Sequence, residues 1–153
     1  MYLVKKRRYQ QMRKLLSWVF VKLIQPQVGV QFCKDGNSYD HTEEKIYLDV
    51  NDNDDCGFLR HLEEKHGFAE ARSYSLLVWT ILHEIGHYNT LDECEEDELL
   101  VRVYCAMMDK SDVTEKAQDL YFDLESEWLA TEWAIDYLLD HQKLCKVFSA
   151  LLR

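Results

Sequence analysis

Proline and glycine are scarce in this chain, one and five in 153 residues, and no tract of low complexity occurs. Collagen-like repeats, Gly/Ser linkers and long disorder are thereby excluded, and the scarcity of helix breakers favours helices. The cysteines, Cys33, Cys56, Cys94, Cys105 and Cys145, are odd in number and form no CxxC pair. A disulfide framework and a thiolate zinc site are both disfavoured, and a reducing cytoplasm is the expected location. No apolar run approaches the roughly 20 residues of a membrane span. Residues 15–24 follow a basic start, but Lys22 interrupts them and no small-residue cleavage site follows, so neither a secretory signal nor a transmembrane helix is expected. Basic residues are outnumbered, 18 against 28 acids, for a net charge of -10. Sequence-specific nucleic-acid binding is not expected, because phosphate contact needs a positive face.

What is present is 47% hydrophobic residues, enough for one core, and residues 1–153 read as a single domain. The charge is unevenly spread. Lys5, Lys6, Arg7, Arg8, Arg13, Lys14 and Lys22 make residues 1–24 +7 with no acid, leaving -17 for the other 129 residues. Leu15, Leu16, Val19, Phe20, Leu23 and Ile24 recur at helical spacing and Pro26 closes the segment, so residues 1–26 read as a basic amphipathic helix. Three roles suit it, in this order: packing on an acidic body, a weak membrane-surface contact, or a polyanion contact.

Residues 28–33, a turn-rich 34–38 and the alternating 45–50 predict a small antiparallel sheet. The acidic residues 51–57 read as a solvated loop; Gly57 is out of register for a calcium loop. A short helix is expected over residues 58–67 and a long buried one over 71–88. The six acids within residues 92–98 suit the exposed start of a helix continuing through 99–108, and Asp112 with Glu115 suits a capping box for the next. From there no Pro or Gly occurs, and a break is expected near residues 140–142. The overall class is α+β, mostly helical.

The buried helix contains His83-Glu84-Ile85-Gly86-His87, an HExxH string. Residues four apart lie one turn apart on one face, so both imidazoles reach one metal ion, while Glu84 projects beside them as a general base for a water held by the metal. Two imidazoles and one carboxylate suit zinc with one open position. Burying two His and a Glu among Leu, Trp and Ile is costly without partners, and a metal satisfies all three. The third ligand is to be sought among Glu125, Glu127 and Glu132. Glu127 is favoured because Ala130 and Ala134 follow it on a face slim enough to approach Gly86, whereas Trp128 and Ile135 crowd Glu132.

The HExxH string, followed after a variable stretch by Glu127-Trp128-Leu129-Ala130-Thr131-Glu132-Trp133-Ala134, resembles the gluzincin metallopeptidases, in particular the ImmA/IrrE-like and minigluzincin groups. The resemblance covers about residues 28–139. It implies a minimal zincin-like domain, with a small antiparallel sheet packed on the HExxH helix and a C-terminal helix bearing the third ligand. It further implies zinc held by His83, His87 and Glu127, Glu84 as general base, and hydrolysis of a peptide bond in a protein or peptide substrate, such as a regulatory protein. Residues 46–50 would be the edge strand pairing with the substrate, so that Ile46, Tyr47 and Leu48 contact it. Thr131 stands where these groups commonly carry Asn or Asp, and Asp123 and Asp136 are the other candidates for orienting a ligand histidine. The runner-up is a catalytically silent, zinc-stabilised binding module, for which Asp123 or Cys105 would supply a fourth ligand.

An oxyanion partner is not singled out among Tyr88, Tyr104, Tyr121, Tyr137 and His141. His61 and His66, five apart, are expected to face solvent. Trp18, Trp79, Trp128 and Trp133 are expected in the core.

Overall fold

The computed structural model describes residues 2–95, Val103, Ala106 and residues 115–153, and the side chains from Val4 onward. The helix start proposed at residues 92–98 and its continuation to 108, the capping box at Asp112, Tyr104 and Cys105 lie wholly or partly outside the described residues. The mostly helical α+β class holds.

Helix α1 (Tyr2–Ile24) leads into three short strands, β1 (Gly29–Phe32), β2 (Ser38–Asp40) and β3 (Lys45–Leu48). Helix α2 (Phe58–Glu64) and a 3-10 turn (Ala71–Ser73) precede the HExxH helix α3 (Leu76–Thr90), and the C-terminal third holds α4 (Glu115–Phe122), α5 (Glu125–Asp140) and α6 (Gln142–Leu152). The break expected near residues 140–142 is thus present. A second, at residues 123–124, separates α4 from α5 and has no Pro or Gly to announce it.

The sheet is mixed, where antiparallel pairing was expected. Its order is β1-β3-β2, with β1 parallel and β2 antiparallel to β3. The turn expected over residues 34–38 gives way at Ser38 to a strand: residues 38–40 extend and form the hairpin with β3, closed where the Asp40 carboxylate accepts from the Thr42 and Glu43 backbone N–H groups. That hairpin occupies one side of β3 and leaves β1 the other, which it reaches running in the same direction. Ile46 and Leu48 of β3 point into the core with no exposed surface.

Trp79 anchors the core without exposure, its indole N–H donating to the Ala71 carbonyl at 2.8 Å and its ring meeting Phe58, Phe68 and Tyr74 edge-on. Helix α1 joins this core through Phe20, stacked on Phe148 of α6 at 4.5 Å. Trp18, expected in the core, points outward and is exposed, because the inward face of α1 is set by Ser17, Phe20 and Val21.

Candidate metal centre

Helix α3 is fixed at its start by Ser75, whose hydroxyl caps Val78 N–H and whose own N–H donates to the Ser149 hydroxyl of α6. Ten of its fifteen residues are buried, so it runs through the interior and carries His83, Glu84 and His87 with it. Helix α5 crosses it at Gly86. A Cβ there would meet the Ala130 carbonyl oxygen at 2.4 Å and its Cα at 2.9 Å, so glycine is what lets the two backbones approach this closely. The approach brings Glu127, one turn before Ala130, over the histidines.

Glu127 Oε2 lies 2.8 Å from His83 Nε2, and Glu127 Oε1 lies 3.4 Å from His87 Nε2. The ligand atoms of these three residues all fall within 4.8 Å of one another, the one such cluster among the described residues. Tetrahedral ligands about 2.0–2.1 Å from one zinc ion sit about 3.3 Å apart, so the spacing fits a single ion. The hydrogen-bond pattern is compatible with a cation between these groups. Thr131 Oγ donates its one proton to the Glu127 carbonyl at 2.7 Å, and so it accepts from His83 Nδ1–H at 3.2 Å. In the neutral ring this leaves Nε2 with a lone pair facing a carboxylate oxygen, which is repulsive; the contact is relieved either by a second proton on His83, donated from Nε2 to Glu127, or by a cation bound between them. His83, His87 and Glu127 could therefore hold a metal ion.

Burial alone would raise the Glu127 carboxyl, but His87 beside it and the hydrogen bonds of both imidazoles outweigh that and hold it far below the usual carboxylate range. Glu84 goes the other way. Burial pushes its carboxyl up, and the two histidines only partly offset this because no hydrogen bond ties the carboxylate among the described residues. A buried, untethered carboxylate beside a cluster of three metal-type donors is suited to exchanging a proton.

Glu84, His83 and Glu127 line one cavity of about 430 Å³, whose walls include Asp35, Asn37, Ser38, Asp52, Asp54 and Asp55, Thr80 and Tyr121. Among the described residues no Lys or Arg lines it. Of the five groups considered for an oxyanion, Tyr121 shares this cavity, whereas Tyr137 is stacked between Trp133 and His141 and Tyr88 packs edge-on against Tyr39.

Glu132 and Glu125 are exposed and outside the donor cluster, and Asp123 and Asp136 are exposed as well, so Thr131 alone among the three candidates orients His83. The edge-strand reading of Ile46, Tyr47 and Leu48 is corrected: β3 is paired on both sides, which leaves no free main-chain donors or acceptors for a substrate. Edges belong to β1 and β2, and Ser38 of β2 lines the cavity. His61, expected in solvent, is buried at 1% exposure against Phe122, Trp128 and His66, an aromatic nest whose members lie too far apart in sequence to be seen as one. No helix among the described residues is long and apolar enough to cross a membrane. The chain matches no family model, no curated protein and no solved structure.

Proposed function

We propose that the protein is a zinc-dependent peptidase. The observation that carries this reading is the cluster of three ligand-type side chains among the described residues, His83, His87 and Glu127, of which His83 and Glu127 line a cavity together with the buried Glu84. Zinc bound there would supply a Lewis acid that acidifies water and polarises a substrate carbonyl. Glu84 takes the proton of the attacking water, a task its raised affinity for protons favours, and delivers it to the leaving amine. Thr131 keeps the His83 ring oriented throughout, and the free edge of β2 is the strand that an extended peptide would join.

The zinc-stabilised binding module needs a fourth protein ligand. Among the described residues the cluster has three, and Asp123, one of the two candidates for a fourth, is exposed outside it, which supports the peptidase; Cys105, the other, lies outside the described residues. Zinc content and cleavage of a denatured protein mixture, measured on wild type, Glu127→Ala, Glu132→Ala and Glu84→Gln, test the proposal. One zinc per chain is expected in wild type and Glu132→Ala, with loss in Glu127→Ala; Glu84→Gln should keep the metal and lose at least about 100-fold in cleavage rate. Zinc bound without cleavage by wild type would move the reading to the binding module.

A further inference from the structure

Helix α1 has two apolar faces, and the fold covers one of them. Inward, Ser17, Phe20 and Val21 are buried with no exposed surface, against α6 and α3. Outward, steps of four and three residues run along Val4, Arg8, Gln11, Leu15, Trp18 and Lys22, with Met12 and Leu23 alongside. Val4, Met12, Leu15, Trp18 and Leu23 are 45–61% exposed. With Tyr9 they make up half of the twelve large apolar side chains exposed among the described residues, so this is a patch and not ordinary scatter.

The same helix carries the +7 charge. Lys5 lies to one side of the apolar stripe, Arg7 and Lys14 lie to the other, and Arg8 sits within it. None of them forms an ion pair with a carboxylate of the described residues, although the rest of the chain is strongly acidic. The helix packs on the body as expected, but through apolar contacts and not through ion pairs of these four residues with described carboxylates. Arg13 and Lys22 donate to backbone carbonyls of Leu152, Pro26 and Val28, and Lys14 lies over the Phe32 ring, while Lys5, Arg7 and Arg8 are exposed beside the outward apolar side chains.

We propose that α1 seats the protein on an anionic membrane surface. Trp18, Leu15 and Leu23 enter the boundary between headgroups and acyl chains, and Lys5, Arg7, Arg8 and Lys14 pair with lipid phosphates. The helix lies in the plane of the surface, since its basic residues and its packing on α6 exclude a span. A nucleic acid would use the charge and leave Leu15, Trp18 and Leu23 unexplained. A second copy meeting this face with its own α1 would set like charges against each other. An anionic bilayer uses both features, and this inference does not depend on the metal centre.

The test uses the full chain with phosphatidylcholine vesicles, with and without phosphatidylglycerol, read by co-sedimentation and tryptophan emission. The side chains altered in Leu15→Ser/Trp18→Ser and in Lys5→Glu/Arg8→Glu are solvent-exposed, so both variants should melt as wild type does. Binding should be at least about tenfold tighter to the anionic vesicles, weaken in high salt, and fall at least about tenfold in either variant. Absence of binding to anionic vesicles overturns the proposal. So does binding that survives Leu15→Ser/Trp18→Ser, which would leave a polyanion contact, or self-association abolished by that variant, which would make the face an interface between copies.

Discussion

Thr131 is the residue on which the candidate centre turns most economically. Its hydroxyl donates to the carbonyl one turn back and accepts from His83 Nδ1–H, so a single side chain ties the ligand helix to the histidine helix and selects the ring tautomer. Thr131→Val keeps the shape and removes both bonds. It is expected to weaken zinc binding about 10-fold or more with little change in helical content, measured by competition with a chromophoric chelator, and Thr131→Ser should restore it. The centre was legible in the sequence to the extent that it is local. HExxH spacing puts two imidazoles on one face whatever the fold, so His83, Glu84 and His87 follow from helix geometry alone. Choosing Glu127 over Glu132 depends on how α5 is rotated about its axis, which the slim face of Ala130 and Ala134 indicated and which packing against Gly86 decides. Trp18 is exposed and His61 buried, against expectation, for the same physical reason. A side chain's burial is a property of what other elements lie over it, and an apolar stretch or a five-residue spacing carries no such information.

Among the elements, the crossing of α3 and α5 sets the geometry of everything in the cavity. At that point backbone meets backbone, since the atoms a Gly86 Cβ would strike are the Ala130 carbonyl oxygen and Cα. Unlike the end of a flexible side chain, these cannot turn aside without shifting the helix. Gly86→Ala should therefore cost about 1–3 kcal/mol in stability, read from chemical denaturation, and should lower zinc occupancy through displacement of Glu127. Retention of wild-type stability and full occupancy would show that the helices are not in such close contact. The helices were the readable part of the fold because their 3.6-residue period is written in consecutive residues. The sheet was less so: strand positions at 29–32 and 45–48 were visible, but partner and direction arise from long-range pairing. The turn-rich residues 34–38 give no sign of a strand starting at Ser38, and the extended path of residues 38–40 both makes the sheet mixed and moves its edge from β3 to β2.

At the scale of the whole molecule, acid sensitivity is the property the interior builds in. His61 is 1% exposed, neither ring nitrogen has a hydrogen-bond partner, and Phe122, Trp128 and His66 surround it. Burial, and then the neighbouring His66, bring its pKa down from 6.5 to about 4. Folded protein therefore refuses a proton that unfolded protein accepts between those values. Above about pH 6.5 both states are neutral at this position and it is indifferent to pH. As pH falls toward 4 the unfolded state gains protons and the folded state is penalised, by at most roughly 3 kcal/mol once pH is below both values. His66, lowered for the same first reason, acts in the same direction. Other groups titrate in this window, the metal ligands among them, so the informative quantity is a difference between variants. His61→Phe places a ring of similar size in an aromatic nest and removes the titrating group. With metal stripped from both proteins, unfolding free energies from urea titrations at pH 7.5, 6, 5 and 4 should show His61→Phe gaining on wild type steadily as pH falls below 6.5. A gap that stays constant across that range would mean that His61 is protonated in the folded state and that the nest around it is wetter than its burial indicates.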